Sequence, residues 1–137
     1  MHPLLKDFPE SIETQRLLIR APQVGDGHAV FEAVLESLTS LRQWPMSLPW
    51  AQYEPSVEAS EIFCREGLAA YLARKDMPML IFLKDQGTFV GSCGLHRIDW
   101  SVPKFEVGYW CRTSHQGQGL VTEAVKGLNQ FAFDALG

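Results

Sequence analysis

The segment that most limits the possible folds is EVGYWCRTSHQGQGLVTEAV, which runs from Glu106 to Val125. Its first part has the alternation of a strand, glycines follow at 117 and 119, and an amphipathic helical pattern begins at Leu120. The first N–H groups of a helix have no intrahelical acceptor, and the helix dipole favours negative charge there. Glycines before that point let the backbone approach a ligand closely. The segment therefore predicts a strand–loop–helix unit that binds an anion, with a ligand-free tight turn as the alternative.

Two common phosphate-binding patterns do not fit this loop. A P-loop needs a lysine before the helix, and the loop has none. The pattern GxGxxG would need a third glycine where the chain has Thr122. Backbone amides without a metal suit a pyrophosphate that serves as a handle rather than as the reacting group. Glu123 in the first helical turn would repel an anion beside it, so its side chain is expected to point away from the ligand.

The remaining sequence predicts one domain, residues 1–137, with the element order β-α-α-β-β-β-loop-α. The hydrophobic period is helical before Asp76 and changes to strand-like runs after it, which places an antiparallel meander in the second half. The predicted elements are a strand from Arg16 to Ala21, a helix from Asp26 (its N-cap) to Trp44, a helix from Ser56 (its N-cap) to Arg74, hairpin strands Met79 to Leu83 and Thr88 to Ile98, a strand over residues 104–112, and a helix from Leu120.

Composition excludes several classes of function. The net charge of −4 argues against a protein that grips nucleic acid by neutralising phosphates. No apolar run reaches the roughly 20 residues that a membrane helix needs, and the N-terminus lacks a signal-peptide pattern. The three cysteines are widely separated, with no metal-ligand spacing. We therefore expect a cytoplasmic protein with reduced thiols, no metal, no nucleic acid and no membrane partner.

The loop segment also resembles motif A of the GNAT superfamily of N-acetyltransferases, whose pattern is Q/R-x-x-G-x-G/A. Gln116 opens the pattern, Gly119 supplies its glycine, and Val121 stands where glycine or alanine is usual. Five stretches, in this order, are similar to the RimJ/RimL-type branch, which acetylates ribosomal-protein N-termini and other amines: ETQRLLIRAP, SLRQW…LPW, VGSCGL, EVGYW and GQGLVTEA.

The resemblance implies an α+β (α/β) fold: a mixed, mainly antiparallel sheet with helices on both faces. In the family, acetyl-CoA lies in a wedge between two splayed parallel strands. The family continues past the last helix with further strands that this chain lacks, so the resemblance implies a C-terminally incomplete domain, which could complete itself as a homodimer. The residues expected to hold the CoA pyrophosphate are Gln116, Gly117, Gln118, Gly119 and Leu120, and those expected to pair with the pantetheine arm are Trp110, Cys111 and Arg112.

The implied activity is acetyl-CoA-dependent transfer of an acetyl group to a primary amine by direct attack. The acceptor is a protein N-terminal α-amino group or a small amine, and the alternative is a catalytically silent CoA-binding remnant or interaction domain. Glu106 is the first candidate for the base, because it lies on the strand that leads to the loop; it could instead be exposed or ion-paired, for example with Arg97. His96 is the second candidate, and it could instead be an ordinary strand-end histidine.

Three further features have open interpretations. Direct transfer needs no acyl-enzyme, so a nucleophilic role for Cys111 is disfavoured. A strand N–H from Trp110 or Cys111 could polarise the thioester carbonyl. The aromatic and proline residues of the segment after the first helix could line an acceptor groove or belong to the core: Trp44, Pro49 and Trp50.

Overall fold

A computed structural model describes residues 2–42, 54–102 and 104–136, and in them five strands form one sheet that carries three α-helices. The predicted groove residues Trp44, Pro49 and Trp50 lie outside these ranges. The elements are β1 (Ser11–Glu13), β2 (Leu17–Arg20), α1 (Gly27–Arg42), α2 (Val57–Leu72), β3 (Met77–Leu83), β4 (Phe89–Asp99), β5 (Lys104–Cys111) and α3 (Leu120–Leu136), with short 3-10 turns at Pro3–Leu5 and Thr113–His115.

The strand order is β1-β2-β3-β4-β5, and every neighbouring pair among the described strands is antiparallel. The predicted meander and the predicted fold class are confirmed. Strand β1 was not predicted, because three half-exposed residues are too few to show alternation. Strand β3 begins at Met77 rather than Met79, since Met77 already pairs with Leu95 of β4.

Helices cover both faces of the sheet, as predicted. Strand β3 is an apolar run because its successive side chains enter two cores: Met79 and Ile81 face α3, while Leu80 and Phe82 face α1 and α2. The α3 side of the first core consists of Leu120, Ala124, Leu128, Phe131 and Ala132. The second core is completed by Val30, Ala33, Val34, Cys64, Phe89 and Trp110.

The two N-cap predictions have different outcomes. Ser56 caps α2 through its hydroxyl, which accepts the Ala59 N–H at 3.0 Å. Asp26 does precede α1, but its carboxylate accepts hydrogen bonds from Arg20 and from the Gln23 N–H. Asp26 is therefore at the predicted N-cap position, where its carbonyl accepts the Val30 N–H at 3.1 Å, but its carboxylate bonds to Arg20 and Gln23 instead of the first turn of α1.

Glu61 of α2 provides the carboxylate at the start of α1. Its two oxygens accept the N–H groups of Gly25 and Gly27, each at 2.9 Å. These bonds, together with one from Arg65, lower the pKa of Glu61 to about 2. A Cβ on Gly27 would lie 2.6 Å from the Glu61 backbone, so the glycine allows the two helices to meet at this point.

Two features of the last strands prepare the site. Strand β5 is at one edge of the sheet, and no described strand pairs with its outer side. Strand β4 has a register irregularity between His96 and Asp99, where Arg97 adopts a positive φ of 51°.

No helix in the described part of the chain is long and apolar enough to cross a membrane.

Candidate active site

The glycine loop uses the conformational freedom of its two glycines. Gly117 and Gly119 have φ values of 76° and 75°, in the left-handed region that glycine adopts without strain. The first hydrogen bond of α3 runs from the Glu123 N–H to the Gly119 carbonyl. Within the described residues, the N–H groups of Gly117, Gly119 and Leu120 make no hydrogen bond of good geometry. They border a shallow hollow of about 270 Å³, so the loop offers unpaired donors to an anion.

A side-chain brace fixes this loop to the turn between β1 and β2. The Glu123 carboxylate accepts hydrogen bonds from the Thr14 hydroxyl, from the Arg16 N–H at 2.9 Å and from Arg16 Nε at 2.7 Å. Arg16 Nη1 also donates to the Gln118 carbonyl at 2.9 Å. Partial burial raises the pKa of Glu123, but the bonds from Thr14 and Arg16 outweigh it, so this pKa lies below its ordinary value. The carboxylate of Glu123 is therefore bonded to Thr14 and Arg16, and it is not needed to contact a bound anion.

The inner edge of β5 is already paired at two of the three positions predicted for the pantetheine arm. The Arg112 N–H donates to the Val90 carbonyl at 2.7 Å, and the alternation of an antiparallel ladder turns the backbone of Trp110 the same way. The backbone groups of Tyr109 and Cys111 therefore lie on the outer edge. Of the predicted residues, Cys111 has its N–H on the outer edge, while its carbonyl accepts a hydrogen bond from Gln116 Nε2 at 3.4 Å. Tyr109, which was not among the predicted residues, also presents its backbone outward.

Arg112 holds the chain before the loop against α1. Its Nε donates to Glu36 at 2.8 Å, and the Thr113 N–H donates to the Ser37 hydroxyl at 2.9 Å. Partial burial raises the pKa of Glu36, yet the hydrogen bonds from Arg112 and Ser114 lower it more, so the net pKa is below the ordinary value. No local sequence pattern links α1 to β5, so these contacts could not be predicted from the sequence.

The two candidate bases are cross-strand neighbours, since His96 pairs with Glu106 in the sheet register. Glu106 is 62% exposed, and its carboxylate lies 3.5 Å from Arg97 Nε. This ion pair is the predicted alternative to a catalytic role for Glu106. His96 Nδ1 lies 2.8 Å from Asp76 Oδ1. His96 also borders a cavity of about 450 Å³ whose lining includes Asp76, Tyr109 and Trp110. The two candidates thus share a sheet face but have different partners.

The thiols are poorly suited to nucleophilic attack. Burial raises the pKa of Cys111, and it raises the pKa of Cys93 to about 12. A neutral thiol is a weak nucleophile, which agrees with direct transfer. Among the described residues, no group of three or more His, Cys, Asp or Glu side chains could hold a metal ion.

Comparison with known proteins decides the family. Residues 16–137 match the acetyltransferase (GNAT) domain. The chain belongs to the GNAT acetyltransferase family. Within this family, it is 27% identical over 107 residues to the ribosomal-protein-serine acetyltransferase of Escherichia coli K12; the match covers 77% of this chain and 57% of that protein.

Two solved acetyltransferase structures have the same fold. RimL, a ribosomal alpha-N-protein acetyltransferase in complex with coenzyme A, matches with a TM-score of 0.79 and 26% identity over 88% of this chain and 66% of its own. The microcin self-immunity acetyltransferase MccE, in complex with acetyl-CoA and AMP, has a TM-score of 0.75 at 19% identity, over 85% of this chain and 62% of its own. The chain therefore spans less than two thirds of the length of these relatives.

Proposed function

We propose that this chain transfers the acetyl group of acetyl-CoA to a primary amine. The loop from Gln116 to Leu120 binds the CoA pyrophosphate, and the outer edge of β5 pairs with the pantetheine arm as an added strand would. The amine attacks the thioester carbon directly. An outward N–H of β5, from Cys111 or Tyr109, is in a position to stabilise the oxyanion that forms.

The observation that carries the proposal is the adjacency of two sets of backbone N–H groups that have no partner strand or helix turn among the described residues. The left-handed glycines expose amides at the start of α3, and the outer edge of β5 leads into the same loop. A CoA molecule has a diphosphate for the first set and two amide groups in its pantetheine arm for the second. ATP has phosphates but no such arm, so the two ligands should be distinguished by affinity.

The acceptor is the less defined half of the reaction. The Escherichia coli relative is named a ribosomal-protein-serine acetyltransferase, so a peptide that begins with serine is the first acceptor to test. Small amines are the alternative class. The cavity beside His96 also contains Glu66 and Asp76, and this acidic lining favours a cationic amine of either class.

A thiol-release assay tests the proposal. The chain is mixed with acetyl-CoA and one of three acceptors: a peptide that begins with serine, the same peptide blocked by N-acetylation, or a polyamine. The products are identified by mass spectrometry. We expect release of CoA with a free amine and none above background with the blocked peptide. Binding of acetyl-CoA without transfer to any amine would show that the chain is a catalytically silent CoA-binding protein. Absence of binding would refute both the enzyme and the silent CoA-binding protein.

A further inference from the structure

The histidine of the cavity is held by an acid that the sequence analysis did not single out. Asp76, in the turn between α2 and β3, places Oδ1 2.8 Å from His96 Nδ1. An ionised carboxylate can only accept a hydrogen bond, so Nδ1 carries the proton and Nε2 of the neutral ring is left as an acceptor. The pair therefore fixes which nitrogen of His96 is free.

Two glycines make room for the imidazole ring. A Cβ on Gly108 would lie 3.0 Å from Cδ2 and 3.2 Å from Nε2 of His96, and it would meet no other atom within 4 Å. A Cβ on Gly94 would lie 3.0 Å from the same Nε2, and also 2.9 Å from the Met77 carbonyl. The ring thus lies over the bare backbone of β4 and β5, in space that a side chain on either glycine would enter.

The backbone after His96 is strained in a way that breaks the regular strand. Arg97 has a positive φ of 51°, which is unfavourable for a residue with a long side chain, and the register to β5 shifts between His96 and Asp99. Bulges of this kind redirect neighbouring side chains and occur often beside active sites. Here Arg97 is ion-paired with Glu106, and the imidazole of His96 contacts Asp76.

Several neighbouring elements place charged side chains near His96. Asp76 precedes β3, Glu66 belongs to α2 and borders the same cavity, and Glu106 faces His96 from β5 with Arg97 beside it. Of these groups, Glu66 and Asp76 line the cavity, and their negative charges favour an ammonium ion there. His96 Nε2 is the imidazole acceptor beside them.

We propose that His96 is the proton acceptor of the acetyl transfer and that Asp76 is its positioning residue; this rests on the proposed function. His96 Nε2 takes a proton from the substrate ammonium, and the neutral amine attacks the thioester carbon. The new C–N bond forms as the carbonyl becomes an oxyanion. When the carbonyl reforms, the C–S bond breaks and CoA leaves as a thiolate. The second proton of the nitrogen goes to that thiolate, and His96 returns its proton to solvent.

Kinetics of three variants test the two roles. His96→Gln should lower kcat by about 10²-fold or more, the usual scale for one positioned base, with the affinity for acetyl-CoA unchanged. Asp76→Ala should lower kcat by about 10–100-fold through loss of orientation. Asp85→Ala, which removes an exposed carboxylate from the β3–β4 turn, is the control and should match the wild type.

Nitrogen NMR of the histidine ring gives a readout that does not depend on turnover. The wild type should show His96 protonated at Nδ1 when neutral, and Asp76→Ala should lose this preference. Gly108→Ala adds a methyl group that meets only the ring, so it should lower kcat several-fold without changing the chemistry of His96. This variant decides the question if His96→Gln does not fold.

The outcomes separate the two levels of the account. Transfer by the wild type with an unchanged rate and pH profile in His96→Gln overturns the role of His96 alone, and so does a loss that occurs in Glu106→Gln instead. An Nε2–H tautomer in the wild type overturns the positioning by Asp76. If the wild type transfers acetyl to no amine, the proposed function fails, and the role of His96 fails with it.

Discussion

Replacing Glu123 by glutamine tests whether the loop is held by its side-chain brace. The substitution keeps the size of the side chain and one carbonyl oxygen, but it removes the charge that Arg16 contacts. Three donors converge on this carboxylate: the Thr14 hydroxyl, the Arg16 N–H and Arg16 Nε. Because Arg16 also donates to the Gln118 carbonyl, loss of the ion pair should free the loop as well as the helix start.

The expected loss of stability follows from the exposure of the two partners. A hydrogen bond to a charged group contributes about 1.5–3 kcal/mol when it is sheltered from water. The Arg16 side chain is 45% exposed and that of Glu123 is 19% exposed, so solvent screening reduces its contribution. With part of the bonding retained by the amide, we expect a loss of about 1–2 kcal/mol, or roughly 3–6 °C in Tm for a domain of this size.

Glu58→Gln is the matched control, because Glu58 lies in the first turn of α2 and is exposed. Both variants lose a favourable interaction with a helix dipole, so the difference between their Tm values isolates the brace. The pKa of Glu123 is lowered in the fold, so its contribution is present above the ordinary value of 4.5 and is lost as the pH falls through the folded value. Equal Tm values for Glu123→Gln and Glu58→Gln at pH 7 would refute the brace.

Three further outcomes follow from local geometry. Gly119→Val and Gly87→Val both put a side chain at a positive φ and should each cost about 1–2 kcal/mol, but only Gly119→Val should weaken acetyl-CoA binding, by about tenfold or more in calorimetry. The pKa of Glu61 is about 2, so Glu61→Gln should lower stability above pH 4.5 and lessen its fall between pH 4.5 and 2 in acid titrations. Ser56→Ala should cost about 1 kcal/mol by chemical denaturation without changing the affinity for acetyl-CoA, because only the Ala59 N–H loses its cap.

The sequence predicted those parts of the fold that depend on neighbours along the chain. The alternation of side chains predicted the two faces of β5. The change of the hydrophobic period after Asp76 predicted where the meander begins. The helix start at Ser56 was predicted because a hydroxyl caps its own helix three residues on. The strand–loop–helix unit was predicted because an alternating pattern, two glycines and a helical pattern follow one another along the chain.

The parts that the sequence did not predict depend on contacts between distant segments. Asp26 looked like an N-cap, but Arg20 competes for its carboxylate, and Glu61 reaches α1 from another helix. The Asp76–His96 pair joins residues twenty positions apart through a turn. Likewise, which amides of β5 face outward depends on its register with β4, and this cannot be read from alternation alone.

The most direct test of the account is an amide NMR titration of the 137-residue chain with acetyl-CoA. We expect saturable shifts concentrated at Gly117 and Gly119 in the loop and at Tyr109 and Cys111 on the outer edge of β5. ATP at the same concentration should leave the two strand amides unchanged, because it has no pantetheine arm. Saturable shifts that lie elsewhere on the sheet, with these four amides unmoved, would contradict the proposal that this loop and this edge bind the acetyl donor.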